Sequence, residues 1–352
     1  MIDTRLEHAS TLPSRLYLDA DVLADENRTI FARTWQLAGR AEQVRDAGQF
    51  FTTTIGEEPV LVVRGADGVL RAMSNVCRHR AGPVAHGEGK RPVLQCGYHG
   101  WTYSLDGRLA RTPEFDGVQN FDRANCALPQ FRVDIWNELV FVNLDPTSES
   151  LTDFLGDLIS DMPRHDYSGF QLAKRKTWEL DCNWKVYVDN YLEGYHIPIV
   201  HPGLFRELDY ANYRTETKRR YSIQFAPTRR PERIRTANGD DQVRYFWIFP
   251  NLMLNVYPDN FSTNLIVPLG HGRTATVFDW YFKDPEASKT QLDETVVFSD
   301  EIQLEDIDIC EAVQRGLRSS TYDSGRFSPQ RENGVHHFHL LYEEFRGAAS
   351  RA

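Results

Sequence analysis

The sequence has no long hydrophobic run. No segment of its 352 residues reaches the roughly eighteen consecutive apolar residues that a membrane-spanning helix requires, and the N-terminal residues lack the apolar core of a secretory signal. A glycine-rich phosphate loop of the G-x-G-x-x-G or Walker type is also missing, which disfavours bound nicotinamide or ATP. The formal net charge of −10 gives no reason to expect nucleic acid or an anionic membrane as a partner. These absences predict a cytoplasmic protein of ordinary globular composition.

Cysteine is scarce, with five residues in the whole chain. Two of them stand beside histidines. Cys77-Arg78-His79 has the spacing C-x-H, and after a gap of sixteen residues Cys96-Gly97-Tyr98-His99 has the spacing C-x-x-H. Each half offers one thiolate and one imidazole, so two loop tips can close on a shared centre. We expect the other three, Cys126, Cys182 and Cys310, to be reduced packing residues.

Two kinds of centre use two Cys and two His. In a Rieske [2Fe–2S] cluster, two thiolates hold one iron and two imidazoles hold the other. The alternative is a Cys₂His₂ zinc site, but zinc sites usually place both Cys in one half and both His in the other, whereas each half here is mixed. The flanks add a tight turn and aromatics that can shield a cluster from water: Gly97, Tyr98, Gly100, Trp101 and Tyr103. The pattern therefore predicts a Rieske cluster bound by Cys77, His79, Cys96 and His99.

Both clusters of ligands fall in a zone of short β-strands. Residues 15–38 have an amphipathic helical pattern, and from about residue 35 the pattern changes to short apolar runs separated by turn residues. This zone closes at about residue 145, before the polar stretch 147–150. We predict an all-β [2Fe–2S] domain over 35–145, inserted ahead of most of a second domain that comprises 1–34 and 146–352.

The second half of the chain combines helices with a predicted antiparallel sheet. Long alternating runs between 243 and 282, broken by Pro, Asn and Gly, are typical of an antiparallel meander. The predicted fold class is α+β, with helices on one face of an antiparallel sheet in a domain of the helix-grip type. Helices are expected at about 151–160, 183–196, 296–317 and 335–346.

A second polar grouping lies on the predicted helix that precedes Pro198. On a continuous helix Asp189, Glu193 and His196 share one face, at offsets of four and three residues. His201 is five residues beyond His196, and on a helix the two would diverge by roughly 140°. Pro198 ends the helix before it, so a turn can bring the two histidines together. They can then serve the 2-His-1-carboxylate triad of non-haem Fe(II) oxygenases, the alternative being two histidines with ordinary hydrogen bonds.

The carboxylate of such a triad is predicted on the helix over 296–317. Asp306 falls in a buried stripe with apolar residues at helical spacing. An inward-facing carboxylate is costly unless it binds a metal or a cation, so the alternative is a salt bridge to an arginine. We expect the neighbouring acids to fall on other faces and to be solvated: Glu305, Asp308 and Glu311. Asp189 and Asn190 are candidate catalytic residues, and Asp189 is the alternative carboxylate for the triad. Asn190 and Tyr195 are also candidate residues of the ligand surroundings or the pocket, with simple packing as the alternative.

With both groups of ligands identified, the chain resembles the catalytic α subunit of the Rieske non-haem iron oxygenases from about residue 35 to 345. Within that family it is most similar to the choline monooxygenase and glycine-betaine or carnitine oxygenase group, on the stretches 183–201, 305–311 and 313–317 with the tail through 336–339. The resemblance implies that the mononuclear iron is bound by His196, His201 and Asp306. It also implies that Glu193, where ring-hydroxylating members commonly have Asp, bridges to the cluster of a neighbouring subunit.

The resemblance further implies a terminal oxygenase component. Electrons come from NAD(P)H through a separate reductase, with or without a ferredoxin, and a head-to-tail homotrimer is expected. O₂ then reacts with a small substrate, such as a quaternary ammonium compound that is hydroxylated or N-demethylated. The alternatives are an aromatic-ring hydroxylase or dioxygenase, an aryl-ether O-demethylase, and a Rieske electron carrier. A carrier needs only about 100 residues, so the second metal site argues against it.

Aromatic residues of the second half are the predicted lining of the substrate pocket. Ring faces suit a quaternary ammonium group, which has no N–H to donate, and the same lining suits an aromatic acid or an aryl ether. Because strand aromatics in a large domain mostly belong to the core, only some are expected to point inward. The candidates are Tyr191, Tyr195, Tyr245, Trp247, Phe249, Tyr257, Phe261 and Trp280.

Overall fold

The computed structural model describes residues 2–162, 167, 169–227, 229, 242–257 and 260–349. The chain divides into two compact units, one formed by Phe31–Leu151 and one by Met1–Ile30 with Thr152–Ala352. The functional domain assignment of 35–145 against 1–34 with 146–352 stays a prediction. Within the described residues, no helix combines the length and apolar character needed to cross a membrane.

The Phe31–Leu151 unit is built from antiparallel strands. A seven-stranded sheet has the order β1-β10-β9-β4-β3-β2-β5, and a smaller sheet has the order β6-β7-β8. Short 3₁₀ helices lie at Ala41–Val44 and Arg123–Cys126. The strands are β1 Gln36–Arg40, β2 Gln49–Ile55, β3 Glu58–Arg64, β4 Leu70–Ser74, β5 Glu88–Lys90, β6 Leu94–Gln95, β7 Thr102–Tyr103, β8 Leu109–Arg111, β9 Gln130–Trp136 and β10 Leu139–Asn143. The predicted all-β zone is therefore confirmed.

The second unit packs helices against a seven-stranded antiparallel sheet with the order β11-β17-β16-β15-β14-β13-β12. A π-helical turn, Asn27–Phe31, and a 3₁₀ turn, Tyr210–Asn212, complete it. The predicted α+β class is confirmed. Its strands are β11 Gln171–Leu180, β12 Arg214–Thr217, β13 Tyr221–Pro227, β14 Gln242–Ile248, β15 Leu252–Val256, β16 Asn260–Gly270 and β17 Arg273–Phe282. Its helices are α1 Arg15–Leu18, α2 Ala20–Glu26, α3 Leu151–Leu155, α4 Leu158–Asp161, α5 Trp184–Tyr191, α6 Ile197–Val200, α7 Pro202–Glu207, α8 Lys289–Leu317 and α9 Asn333–Ala349.

Helix α5 is held in the second unit by a buried ion pair. The Nζ atom of Lys185 lies 2.6 Å from Oε1 of Glu26, and both side chains are 0% exposed. Glu26 also accepts hydrogen bonds from Trp184 Nε1 at 2.8 Å and from the Tyr342 hydroxyl at 2.6 Å. Burial lowers the pKa of Lys185, while the charge of Glu26 and its hydrogen bond oppose that shift. Because removing either partner would leave a buried charge, this network fixes the start of α5 against α2 and α9.

The predicted helix over 183–196 was too long. Asn183 is the N-cap and accepts a hydrogen bond from Lys185 N, but α5 ends at Tyr191. Gln224 on β13 donates from Nε2 to the Tyr191 carbonyl at 2.7 Å, which satisfies a group that a helix C-terminus leaves free. The long N-terminal helix expected over 15–38 is likewise replaced by α1, α2 and the π turn, followed by β1.

Candidate functional site

The two Cys/His segments form two loops of the same construction. In the first, Cys77 N donates to Gly82 O at 2.8 Å and Ala81 N donates to Cys77 O at 3.0 Å. In the second, Cys96 N donates to Trp101 O at 2.9 Å, and Gly100 N donates to Cys96 O at 3.1 Å. Each loop turns through a residue with positive φ, and Gly100 supplies it in the second loop. The sequence pattern therefore folds into a matched pair of loop tips.

The four predicted cluster ligands lie together in the Phe31–Leu151 unit. Cys77 and Cys96 are each 2% exposed, whereas His79 is half-buried and His99 is exposed. The imidazole centroids of His79 and His99 are 4.6 Å apart. The predicted aromatic shield is present, because the His79 ring stacks on Trp101 at 4.8 Å between centroids.

These residues fit a Rieske cluster. Nδ1 of His79 is buried and has no hydrogen-bond partner, as expected of an atom reserved for a metal. Burial raises the pKa of the Cys96 thiol, which favours a neutral sulfur unless a metal binds it. The two thiols are hydrogen-bonded to each other and the two imidazoles pack against each other, which suits two thiolates on one iron and two imidazoles on the other.

The second unit brings together the three residues predicted for the mononuclear site. Among the described residues, the ligand atoms of His196, His201 and Asp306 lie within 4.8 Å of one another. Oδ1 of Asp306 is 3.0 Å from His201 Nε2 and 3.9 Å from His196 Nε2. The two imidazole centroids are 5.0 Å apart. The grouping suits a divalent metal with two nitrogen ligands and one oxygen ligand.

The backbone between the two histidines differs from the expected turn. Pro198 lies in the first turn of the separate short helix α6, for which His196 is the N-cap and His201 the C-cap. Proline is well tolerated at that position, because its missing N–H is one that a helix start leaves unpaired. Two backbone bonds, Val200 N to His196 O at 2.9 Å and His201 N to Ile197 O at 3.0 Å, close this turn. One helical turn therefore brings the rings together.

Carboxylates and an amide fix the orientation of the triad. Glu193 Oε1 lies 2.6 Å from His196 Nδ1, and Glu305 Oε2 lies 2.6 Å from His201 Nδ1. Asn190 donates from Nδ2 to Asp306 Oδ1 at 2.6 Å. Burial lowers the pKa of His201, but the hydrogen bonds and charges of Asp306 and Glu305 outweigh burial, so that pKa is raised. Each histidine thus has a carboxylate on Nδ1 and presents Nε2 to the triad.

Asp189 does not share the face that the sequence predicted for it. Because α5 ends before Glu193, the expected stripe of Asp189, Glu193 and His196 is not formed. The Asp189 carboxylate instead accepts hydrogen bonds from the Tyr17 hydroxyl at 2.7 Å and His339 Nε2 at 2.9 Å. Leu12 N donates to Nδ1 of that histidine, which places the ring proton on Nε2. Asp189 therefore secures the N-terminal segment to α5 and α9.

Four tyrosines cluster near Glu193: Tyr191 on α5, Tyr245 on β14, Tyr213 just before β12 and Tyr257 just after β15. Tyr191 donates to Asn255 Oδ1 at 2.9 Å, and Tyr245 is hydrogen-bonded to Tyr257. Burial raises the pKa of Tyr191, Tyr213, Tyr245 and Tyr257, so all four hydroxyls are neutral at physiological pH. The cluster offers neutral ring faces and hydroxyl groups.

Other members of the predicted aromatic lining lie elsewhere. Trp247 and Phe249 are 0% exposed and pack against Phe338 of α9. Trp280 lies on the same row of the sheet as Tyr245, but at its far end, where it packs with Leu292 and Val296 of α8. Phe261 stacks on Tyr281, and Tyr195 is 56% exposed. Alternation along the strands predicted which side chains point inward, but it could not predict which residues pack against them.

Sequence reasoning missed two residues of the site. Glu305 was expected to be solvated, yet it contacts His201; its position beside Asp306 was the available signal. Tyr213 follows α7 and joins the tyrosine cluster, where the Gly194 backbone approaches its ring so closely that an added Cβ would lie 2.6 Å from Tyr213 Cε1. No local sequence pattern predicts the contact between Gly194 and Tyr213.

Two family models match the chain in the order that the fold suggests. Residues 34–122 match the Rieske [2Fe-2S] domain. Residues 169–347 match the ring hydroxylating alpha subunit catalytic domain.

Curated relatives match over almost the whole chain. Choline monooxygenase from the chloroplast of Arabidopsis thaliana is 35% identical over 357 aligned residues, which cover 96% of this chain and 83% of that protein. The carnitine monooxygenase oxygenase subunit of Escherichia coli K12 is 33% identical, over 95% of this chain and 93% of that one. A crystal structure of the quaternary ammonium Rieske monooxygenase CntA with L-carnitine has a TM-score of 0.86 and 29% identity, over 97% of both chains. The chain belongs to the Rieske non-haem iron oxygenases, as a catalytic α-subunit-type oxygenase with a Rieske [2Fe–2S] cluster and a mononuclear iron.

Proposed function

We propose that this oxygenase oxidises a small quaternary ammonium compound at a carbon next to nitrogen, by hydroxylation or N-demethylation. In this proposal the Rieske cluster is bound by Cys77, His79, Cys96 and His99. The mononuclear Fe(II) is bound by His196, His201 and Asp306. When bound, the two centres supply electron transfer and O₂ activation. The protein is the oxygenase component of a multicomponent system and takes its electrons from a separate reductase.

The observation that carries the substrate proposal is the tyrosine cluster near the acidic side chain of Glu193. A quaternary ammonium group binds to aromatic faces, because it has no N–H with which to donate a hydrogen bond. Tyr191, Tyr245 and Tyr257 offer such faces. Acids also contact the triad, since Glu193 Oε1 and Glu305 Oε2 each lie 2.6 Å from Nδ1 of a triad histidine. This field favours a cation over an aromatic carboxylate.

The remaining residues act by orienting the ligands and by limiting the access of water. Asn190 holds the Asp306 carboxylate through Nδ2, and Glu193 holds the His196 ring through Nδ1. A hydrogen bond that fixes the outer nitrogen of an imidazole also fixes the tautomer that can bind a metal. The four neutral tyrosines lie close to one another and near Glu193, so a cation bound among them would exchange water for ring faces.

The proposed assembly is a head-to-tail homotrimer that uses electrons from NAD(P)H through the reductase, with or without a ferredoxin. Glu193 is the candidate bridge to a cluster histidine of the next subunit, because its carboxylate already contacts Nδ1 of His196. A closed ring of three copies pairs each cluster with a neighbouring iron. A cytoplasmic location stays a prediction.

Product mass spectrometry under ¹⁸O₂ with a surrogate reductase tests this function. We expect coupled product from at least one of choline, glycine betaine, carnitine and γ-butyrobetaine. A matched control is 3,3-dimethylbutanol, which has the shape of choline without its charge and is expected to react poorly. Tyr245→Phe keeps the ring and should preserve KM, whereas Tyr245→Leu should raise it. Coupled product from benzoate or methoxybenzoate alone would contradict the proposal.

A further inference from the structure

One helix holds both nitrogens of a single imidazole. Glu305 and Asp306 are consecutive residues of α8, and they contact opposite sides of His201. Glu305 Oε2 is 2.6 Å from Nδ1, and Asp306 Oδ1 is 3.0 Å from Nε2. The imidazole is 2% exposed, so these two carboxylates dominate its polar surroundings.

The geometry decides which nitrogen faces the metal. Nε2 of His201 lies beside Asp306, whose other histidine neighbour is Nε2 of His196 at 3.9 Å. A nitrogen that binds a metal carries no proton, so with Nε2 as the ligand atom the proton of a neutral ring is on Nδ1. That N–H can donate to Glu305, which then fixes both the tautomer and the ring plane.

We propose that Glu305 is a positioning residue for the mononuclear iron, acting through His201 as Glu193 acts through His196. The two carboxylates form a matched pair, each 2.6 Å from Nδ1 of its histidine. This inference rests on the proposed function, because it takes His196, His201 and Asp306 as the ligands.

The two carboxylates differ in what else they hold. Glu193 also accepts hydrogen bonds from the backbone N–H groups of His196, at 3.1 Å, and Tyr195, so it stabilises its own loop. Among the described contacts, Glu305 has a single hydrogen-bond partner, His201, and its side chain is 40% exposed. Removing Glu305 therefore leaves the packing of α8 intact and isolates the effect on the ring.

Metal titration provides a readout that does not depend on turnover. The full-length protein, with its cluster intact and oxidised, is depleted of mononuclear iron and titrated with Co(II), whose EPR signal reports the ligand geometry. Glu305→Ala should weaken Co(II) binding about 10–100-fold and change the EPR signal. Glu305→Gln keeps an acceptor but loses the charge, so its affinity should fall between that of Glu305→Ala and the wild type. Glu301→Gln, an exposed acid one turn earlier on α8, is the matched control and should bind like the wild type.

The outcomes distinguish a failure of the inference about Glu305 from a failure of the proposed function. Glu305→Ala with wild-type Co(II) affinity, or Glu301→Gln weakened equally, would overturn the role of Glu305. Thermal unfolding of the metal-depleted variants should match the wild type; a large loss would make Glu305 a structural residue and would also overturn it. Asp306→Ala is titrated in parallel: if it binds Co(II) normally, the proposed ligand set itself is wrong.

Discussion

Breaking the buried ion pair beneath α5 should loosen the helix that positions the metal ligands. Lys185→Met removes the ammonium that faces Glu26 while both sites are 0% exposed. The carboxylate keeps its hydrogen bonds from Trp184 and Tyr342, at 2.8 and 2.6 Å, but loses its counter-charge. Breaking a buried pair by removing one partner costs about 3–5 kcal/mol. At about 1.4 kcal/mol for each factor of ten, opening of α5 becomes roughly 10²–10⁴ times more frequent.

Native-state hydrogen exchange of the Trp184–Tyr191 peptides, followed by mass spectrometry, measures that opening directly. The double variant Lys185→Met with Glu26→Gln should recover much of the lost protection, because no uncompensated charge remains. Arg273→Met, which breaks an exposed pair with Glu179 in the same unit, should change protection by about 1 kcal/mol or less. A change below tenfold for Lys185→Met, or a double variant as unprotected as the single one, would refute the reasoning.

Three further predictions concern the cluster, the bridge and pH. Cys77→Ser should abolish the visible colour and the EPR signal of the reduced cluster, because a thiolate ligand is lost; a retained signal would contradict the assignment. Glu193→Gln should retain the cluster and, at saturating Fe(II), the mononuclear iron, but should slow oxidation of the reduced cluster and the turnover that depends on it, which stopped-flow absorbance measures; an unchanged rate would argue against the bridge. Burial lowers the pKa of His337 to about 4, so the unfolded chain binds more protons between about pH 4 and 6.5. The free energy of unfolding should therefore fall by roughly 1–3 kcal/mol as the pH drops through that window. His337→Gln should reduce this loss when the free energy is measured by urea unfolding at several pH values. An equal pH dependence for the variant and the wild type would contradict the prediction.

The ligands of both metal centres could be predicted from the sequence because most of them are grouped at short local spacings. Mixed Cys/His pairs in two loops, and an inward-facing Asp306 on a long amphipathic helix, follow from residue identity and periodicity alone. The strands of the all-β unit were predicted for the same reason, since alternation and turn residues are local signals.

What the sequence could not supply depends on contacts between distant segments. The end of α5 at Tyr191 is stabilised by Gln224, from a strand 33 residues later, and no helical pattern reports it. The extended helix prediction consequently aligned Asp189 with the metal face, although its partners are Tyr17 and His339. The prediction for Glu305 was wrong because helical periodicity gives only the face on which a residue lies. The long, flexible Glu side chain reaches His201 from a neighbouring face of the helix.

Iron content of triad variants tests the central claim most directly. The wild type should carry about three irons per chain, two in the cluster and one in the mononuclear site. His196→Ala, His201→Ala and Asp306→Ala should each lower this to about two, abolish product formation and leave the EPR signal of the reduced cluster unchanged. Variants that retain about three irons and near-normal product formation would show that the catalytic iron lies elsewhere.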